Sequence, residues 1–255
     1  MRGASRWLSI AWCIATGVGT AHAATLTAYT EEWPPYNYLE GGLVKGISTD
    51  ILRAVCREEK LTCDFKIMPW ARAYKIVTST PNTLLYTTAR KPSRESEFHW
   101  VGPLLPRSTW VFGRAGQEKV TQTTADLTKL RIGVVRDEAA LQDLQDLGVP
   151  LTSLVVQTSN AEVLKVLSTG TIDAMVDTEI GMAWNMRKAS MAPKAVSKLM
   201  KLSEGGAYYF AFNLESDPQL VRKVQAALDK IRRHGGVATV VERYTSGKLD
   251  FSDTR

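Results

Sequence analysis

The sequence predicts an α/β protein made of two lobes. Strand-like and helix-like patterns alternate over residues 25–89, and a second block of the same kind runs over residues 131–178. Alternation of this type is typical of helices packed on a mostly parallel sheet. After residue 207 the pattern changes to one strand followed by two helices. Two α/β units and a returning C-terminal segment are therefore expected.

The first block is predicted to contain three strands and two helices. Its first helix follows a Ser-Thr-Asp start and carries apolar residues at Ile51, Leu52 and Val55, which is helical spacing. An aromatic loop rich in Pro and Gly, residues 33–46, precedes that helix. In chain order we expect a strand at 25–30, a helix at 48–60, a strand at 63–69, a helix at 70–79 and a strand at 82–89.

The second block and the C-terminal segment follow the same rules. The helix predicted at 217–236 places Leu220, Val224, Leu228 and Ile231 on one face, and its charged opposite face is interpreted as a solvated surface. The other expected elements are strands at 131–136, 151–157, 172–178 and 208–213 and helices at 138–147, 160–169 and 237–246.

The N-terminus predicts a secretory signal peptide at residues 1–23. Two arginines precede a short apolar stretch, and Ala-His-Ala at residues 21–23 is a small-x-small cleavage signal. A lipidated Cys13 is disfavoured because the bulky Trp12 precedes it. No later segment reaches about 18 consecutive apolar residues. We therefore expect an exported, periplasmic protein that does not span the membrane.

Composition argues against several classes of partner and cofactor. The full sequence has 32 Lys and Arg against 26 Asp and Glu, with mixed signs throughout, so no nucleic-acid-binding face is predicted. Cys56 and Cys63 predict a short-loop disulfide in an oxidising compartment. His99 and His234 are not at ligand spacing from these cysteines, so neither a metal site nor another cofactor is expected.

Five segments occur in an order found in a known family. They are "EEWPPYNYLEGGLVKGISTDILRAV", "MPWARAYKIV", "KPSRESEFHWVGPL", "STGTIDAMVD" and "LVRKVQAALDKIRRHGG". With these segments the chain resembles the bacterial extracellular solute-binding proteins of family 3 over nearly all of its length after residue 23. The resemblance implies a two-lobed Venus-flytrap fold, each lobe a mostly parallel sheet flanked by helices, with the ligand in the cleft between the lobes.

The resemblance also implies how the chain divides between the lobes. Lobe 1 would combine residues 24–112 and 208–255, and lobe 2 would comprise residues 113–207. The two hinge crossings would lie near "TWVFGR" and "AYYFAFN".

The same resemblance implies that Arg94 grips a ligand carboxylate. A planar guanidinium fits a carboxylate with two parallel hydrogen bonds. The helix expected to start at Pro92 would add free N–H groups for the same anion. Lys91 stands where the family carries threonine, so a more cationic cleft is expected. Arg90 is equally compatible with ligand binding and with an ion pair at the strand end.

Aromatic and hydroxyl side chains complete the first-lobe candidates. Trp33 and Trp70 match rings at the cleft, whereas Tyr36 is also compatible with the core of a lobe. Thr87 and Thr88 precede the cationic segment and are included as candidate ligand contacts.

The second lobe departs from the family pattern. The turn that usually contains Gly-Thr is "RDEAA" here, which leaves Arg136 as the candidate from this segment. Thr178 occupies the place where the family commonly carries an aspartate for the ligand ammonium group, and Asp177 lies one residue early. Because neighbouring residues of a strand face opposite sides, Asp177 does not simply inherit that role. The resemblance therefore supports a carboxylate subsite but no ammonium subsite.

These features predict a monomeric, non-enzymatic periplasmic protein that captures a carboxylate-bearing solute, an amino acid or a related organic acid, for an ABC importer. One alternative is a free-standing ligand sensor. Another is an enzyme similar to cyclohexadienyl dehydratase, for which Glu31, Glu32 and Glu138 are conceivable acid–base groups.

Overall fold

The computed structural model describes residues 25–117, 123–136 and 138–245, and the predicted signal peptide lies outside them. Its strands are β1 (Thr25–Thr30), β2 (Tyr38–Glu40), β3 (Leu43–Lys45), β4 (Thr62–Ile67), β5 (Thr83–Ala89), β6 (His99–Arg114), β7 (Ile132–Val135), β8 (Leu154–Gln157), β9 (Ala174–Thr178) and β10 (Val196–Phe212). Its α-helices are α1 (Ile47–Glu58), α2 (Trp70–Ser79), α3 (Thr124–Leu127), α4 (Ala139–Asp146), α5 (Asn160–Ser168), α6 (Glu179–Lys188), α7 (Pro218–Arg233) and α8 (Gly236–Thr245). Two short 3-10 helices span Pro92–Glu97 and Leu151–Ser153.

Eight strands form one mixed sheet in the order β4-β1-β5-β10-β6-β9-β7-β8. Strand β1 is parallel to β4 and β5, and β7 is parallel to β8 and β9. We call β4-β1-β5 with its helices the first half, and β9-β7-β8 with its helices the second half. The two long antiparallel strands β6 and β10 join the halves. The predicted α/β class with two units of parallel sheet is confirmed.

Strands β6 and β10 are much longer than the sequence pattern indicated. Residues 99–106 of β6 pair with residues 207–212 of β10, and residues 108–114 pair with residues 196–204. Between the two stretches of β10, Gly205 and Gly206 adopt positive φ angles of 84° and 77°, which only glycine adopts readily. Residues 109–113 also pair with β9 in the second half. This pairing favours a first crossing slightly earlier than the predicted boundary, and the lobe boundaries stay a prediction.

The helices pack as their apolar faces predict. Helix α1 buries Ile47, Ile51, Leu52 and Val55 in the core of the first half. Helix α7 contributes its predicted apolar stripe to the same core, which ties the returning C-terminal segment to the first half. Among the described residues, no helix is long and apolar enough to cross a membrane.

Cys56 and Cys63 form the predicted disulfide. It links the end of α1 to the start of β4, so that helix and strand are covalently tied at the edge of the first half. Cys56 is buried in the first-half core and Cys63 packs against it.

Replacing both cysteines with alanine should lower the free energy of unfolding by about 2 kcal/mol, because the short closed loop restricts the unfolded chain. Urea denaturation of the variant and of the wild type, each with and without reductant, measures this effect. Reductant should destabilise the wild type to the level of the variant and leave the variant unchanged. Equal stabilities of oxidised wild type and variant would contradict the expectation.

Candidate ligand-binding site

A cleft lies between the two halves and contains about 490 Å³ of space, including its open mouth. The end of β5, the loop after β1, the start of α4 and the end of β9 all contribute to its walls. The lining residues are Glu31, Trp33, Trp70, Thr87, Ala89, Arg94, Arg107, Thr109, Glu138, Ala139, Ala140, Val176, Asp177, Thr178 and Tyr208.

Arg94 lines this cleft from the 3-10 helix Pro92–Glu97. The helix expected to start at Pro92 is this 3-10 helix, which ends after six residues as the chain enters β6. The guanidinium carbon lies 5.5 Å from the ring centroid of Trp70 and 5.6 Å from that of Tyr74. None of the described carboxylates forms an ion pair with Arg94 within 4.0 Å. Ring stacking therefore holds the guanidinium while its hydrogen-bond donors stay available for an anion.

Arg90 is not among the residues that line the cleft. Its guanidinium hydrogen-bonds the carboxylate of the exposed Glu95 and stacks on the rings of Trp100 and Tyr209. The ion-pair interpretation of Arg90 accounts for these contacts.

Lys91 is not among the residues that line the cleft, and the expectation that it makes the cleft more cationic stays a prediction. Its ammonium group lies 2.8 Å from a carboxylate oxygen of Asp143 on α4 and donates to the carbonyl oxygen of Ala139 at 3.0 Å. The other carboxylate oxygen of Asp143 accepts from Arg107, a cleft-lining residue that the sequence did not reveal. The single carboxylate of Asp143 thus offsets one of the two positive charges that Lys91 and Arg107 bring to this wall.

The start of α4 faces the same cleft. Ala139 and Ala140 line it, and Glu138 at the N-cap makes no side-chain capping hydrogen bond. The first N–H groups of a helix have no partner within the helix, and the positive end of the helix dipole favours anions. The second half therefore offers backbone N–H groups to an anion that Arg94 can bind from the first half, although the turn "RDEAA" contains no glycine.

Three carboxylates also line the cleft: Glu31, Glu138 and Asp177. Asp177 accepts hydrogen bonds from the Thr178 N–H at 2.7 Å and from Asn185 at 3.2 Å. Burial nevertheless raises the pKa of Asp177 to about 7. Burial, together with the negative charges of Glu31 and Asp177, raises the pKa of Glu138 well above its ordinary value. The cleft therefore holds acidic groups whose ionisation a cationic group would favour.

Both expected cleft aromatics, Trp33 and Trp70, lie in the cleft wall. Trp33 packs on Tyr36 with ring centroids 4.5 Å apart and edge-on against Tyr208 at 5.3 Å. Tyr36 lies in the first-half core, and its hydroxyl donates to the Thr178 side chain at 3.0 Å. Trp33 and Trp70 thus line the cleft, whereas Tyr36 lies in the core and hydrogen-bonds a residue of the second half.

Thr87 lines the cleft in an unusual conformation, with φ at 62°. Such an angle is strained for a β-branched residue and often marks a functional position. Its hydroxyl donates to the side-chain oxygen of Asn37 at 2.5 Å, and the Asn37 amide donates to the Glu31 carbonyl oxygen at 2.6 Å. Asn37, which was not predicted as a site residue, therefore joins two segments of the cleft wall. Thr88 instead donates to its own strand at the Leu85 carbonyl.

Asp177 and Thr178 both line the cleft although they are neighbours on a strand. Strand β9 ends at Thr178, which is the N-cap of α6 and accepts from the Gly181 N–H at 3.0 Å. The strict alternation of side chains no longer applies at this end, so both residues line the cleft, and a role of either in binding a ligand ammonium group stays a prediction. Arg136 is exposed outside the cleft and lines an adjoining groove beside Trp70.

Comparisons with known proteins agree with this architecture. The model of the bacterial extracellular solute-binding proteins, family 3, matches residues 26–247. A probable amino-acid-binding protein of Bacillus subtilis (strain 168), YxeM, is 20% identical over 213 residues, which are 82% of this chain and 79% of that protein.

Two solved structures share the fold. One is a histidine kinase sensor domain with similarity to periplasmic binding proteins, with a TM-score of 0.78 and 18% identity, covering 86% of this chain and 95% of that chain. The other is an ancestral arginine-binding protein bound to arginine, with a TM-score of 0.75 and 18% identity, covering 88% of this chain and 99% of that chain. At such identities the likeness establishes the fold alone.

Proposed function

Because this chain belongs to family 3 of the bacterial extracellular solute-binding proteins, we propose that it captures an amino acid in the cleft between its halves. The observation that carries this proposal is the free guanidinium of Arg94, which faces a cleft that the N-terminus of α4 also lines. A carboxylate between them would receive hydrogen bonds from both halves. Such a ligand stabilises the arrangement in which the halves are close together.

The balance of charges favours an amino acid with a cationic side chain. The charged side chains in and beside the cleft comprise four carboxylates and three cations: Glu31, Glu138, Asp143, Asp177, Lys91, Arg94 and Arg107. When cationic groups of a ligand favour the ionised forms of Asp177 and Glu138, these seven side chains carry a net charge of −1. The ligand carboxylate makes the net charge −2, so a ligand with two positive charges gives electrical balance. Its α-ammonium and side-chain cation would lie near the carboxylates, while Trp33 and Trp70 offer flat faces for the aliphatic or guanidinium part.

The proposed cellular role is that of an exported binding protein. After removal of the signal peptide it stays in the periplasm as a monomer and delivers its ligand to an ABC importer. The family's description as extracellular supports export. No bond is made or broken in this role, because capture and presentation require only a shift between open and closed arrangements.

A thermal-shift screen of residues 24–255 tests the proposal. We expect lysine, arginine or ornithine to raise the melting temperature by about 5–10 °C at a concentration of 100 times the Kd. Glutamine should give a smaller shift, and glutarate, which lacks any positive charge, should give none. A shift with dicarboxylates alone, or no shift with any amino acid, would contradict the assignment.

The alternatives in the same fold need separate measurements. Incubation with prephenate or arogenate tests the enzyme, and formation of a dehydrated, decarboxylated product would replace the binding role with catalysis. The sensor and the importer component bind ligand equally well, so uptake decides between them. Deletion of the gene should abolish uptake of the radiolabelled amino acid identified in the screen, whereas unchanged uptake would favour the sensor.

A further inference from the structure

An ion-pair cluster connects the two halves at the edge of the cleft. Lys91 is the second residue after β5 in the first half, and Asp143 lies on α4, which packs on β7 in the second half. Their charged groups are 2.8 Å apart, and Arg107 on β6 pairs with the second oxygen of Asp143. The side chains are only 13%, 15% and 10% exposed, respectively. Solvent therefore screens this cluster much less than the exposed ion pairs of the surface.

We infer that Lys91 and Asp143 form a built-in latch that favours the closed cleft before any ligand binds. Opening the cleft moves the end of β5 away from α4, so it must separate this pair and also break the hydrogen bond from Lys91 to the Ala139 carbonyl. The pair thus stabilises the closed arrangement in the absence of ligand. A larger closed population in the free protein gives tighter apparent ligand binding.

Lys91 is the residue of the cluster that can be replaced with the least effect on folding. Arg107 and Asp143 are still paired when Lys91 is removed, so no carboxylate is left buried without a partner. Asp143, in contrast, serves both cations, and its removal leaves two like charges together. Truncating Lys91 therefore affects the contact across the cleft with little cost to folding.

The first test needs no ligand. Small-angle X-ray scattering of the ligand-free Lys91→Met variant should show a larger radius of gyration than the wild type, because its open population increases. Lys66→Met is the matched control, since Lys66 pairs with Asp64 on its own strand with about half of each side chain exposed. The control should scatter like the wild type. Equal radii of Lys91→Met and wild type would overturn the latch.

The second test uses affinity and rests on the proposed function. With the amino acid that gives the largest thermal shift, Lys91→Met should bind about tenfold more weakly, mainly through faster dissociation. Adding Lys91→Met to Asp143→Asn should cause little further loss, because the pair is already broken. Full additivity of the two changes would contradict the latch. If no amino acid binds at all, the proposed function fails, while scattering still decides on the latch.

Discussion

Replacing Arg94 with alanine should raise the Kd for the amino acid ligand by about 100-fold or more. The guanidinium is the one side-chain cation in the described cleft wall that no protein carboxylate engages, so the ligand carboxylate has no substitute there. Loss of one partner of a shielded, hydrogen-bonded charge pair costs about 3 kcal/mol, which corresponds to this factor. Isothermal titration calorimetry on the purified protein measures it directly.

Two matched variants make the Arg94 result specific. Arg94→Lys keeps the positive charge but loses the planar pair of donors, so we expect an intermediate loss. Arg90→Ala removes a nearby guanidinium that is already engaged by Glu95, so it should bind like the wild type. Wild-type affinity in Arg94→Ala, or an equal loss in Arg90→Ala, would show that the carboxylate is held elsewhere.

The parts of the fold that depend on local periodicity were predictable from the sequence. Helices α1 and α7 carry clear apolar stripes, and strand β5 is a continuous buried run. Strand β6 was missed because Pro103 and Pro106 are typical of turns. The strand accommodates them with irregular pairing to β10, whose register shifts several times. The hairpin β2–β3 was read as part of a loop because its strands have only three residues each.

Part of the site was predictable, mostly where the resemblance marked a residue. Arg94, Trp33 and Trp70 were selected and lie in the cleft wall. The partnership of Lys91 with Asp143 joins residues 52 positions apart in sequence, and no short pattern contains both. Likewise, Glu138 lies near Asp177 because α4 starts just after β7, and β7 is parallel to β9, so both residues lie at the carboxyl ends of neighbouring strands. Charges that are neutralised or concentrated by tertiary structure cannot be read from local sequence.

Affinity for a cationic amino acid should decrease at least tenfold for each pH unit below 7, because tenfold corresponds to one released proton and a second released proton steepens the dependence. In the free protein, burial raises the pKa of Asp177 to about 7, and the pKa of Glu138 lies well above its ordinary value. A ligand cation favours the ionised carboxylates, so binding lowers both pKa values and releases protons. At lower pH these protons must be displaced, and binding weakens. The side chains of lysine and arginine stay charged from pH 5 to 8, so the slope reports the protein.

Calorimetric titrations between pH 5 and 8, in buffers of different ionisation enthalpy, measure the protons released. Glu138→Gln should release fewer protons and reduce the preference for cationic over neutral amino acids, because one carboxylate no longer has to be balanced. Asp177→Asn should flatten the pH dependence near 7. The control Glu162→Gln changes an exposed carboxylate that accepts a hydrogen bond from Thr158 and is not among the cleft-lining residues, so it should leave both quantities unchanged. Proton release that is the same in wild type, Glu138→Gln and Asp177→Asn would show that the ligand cation does not lie beside these carboxylates.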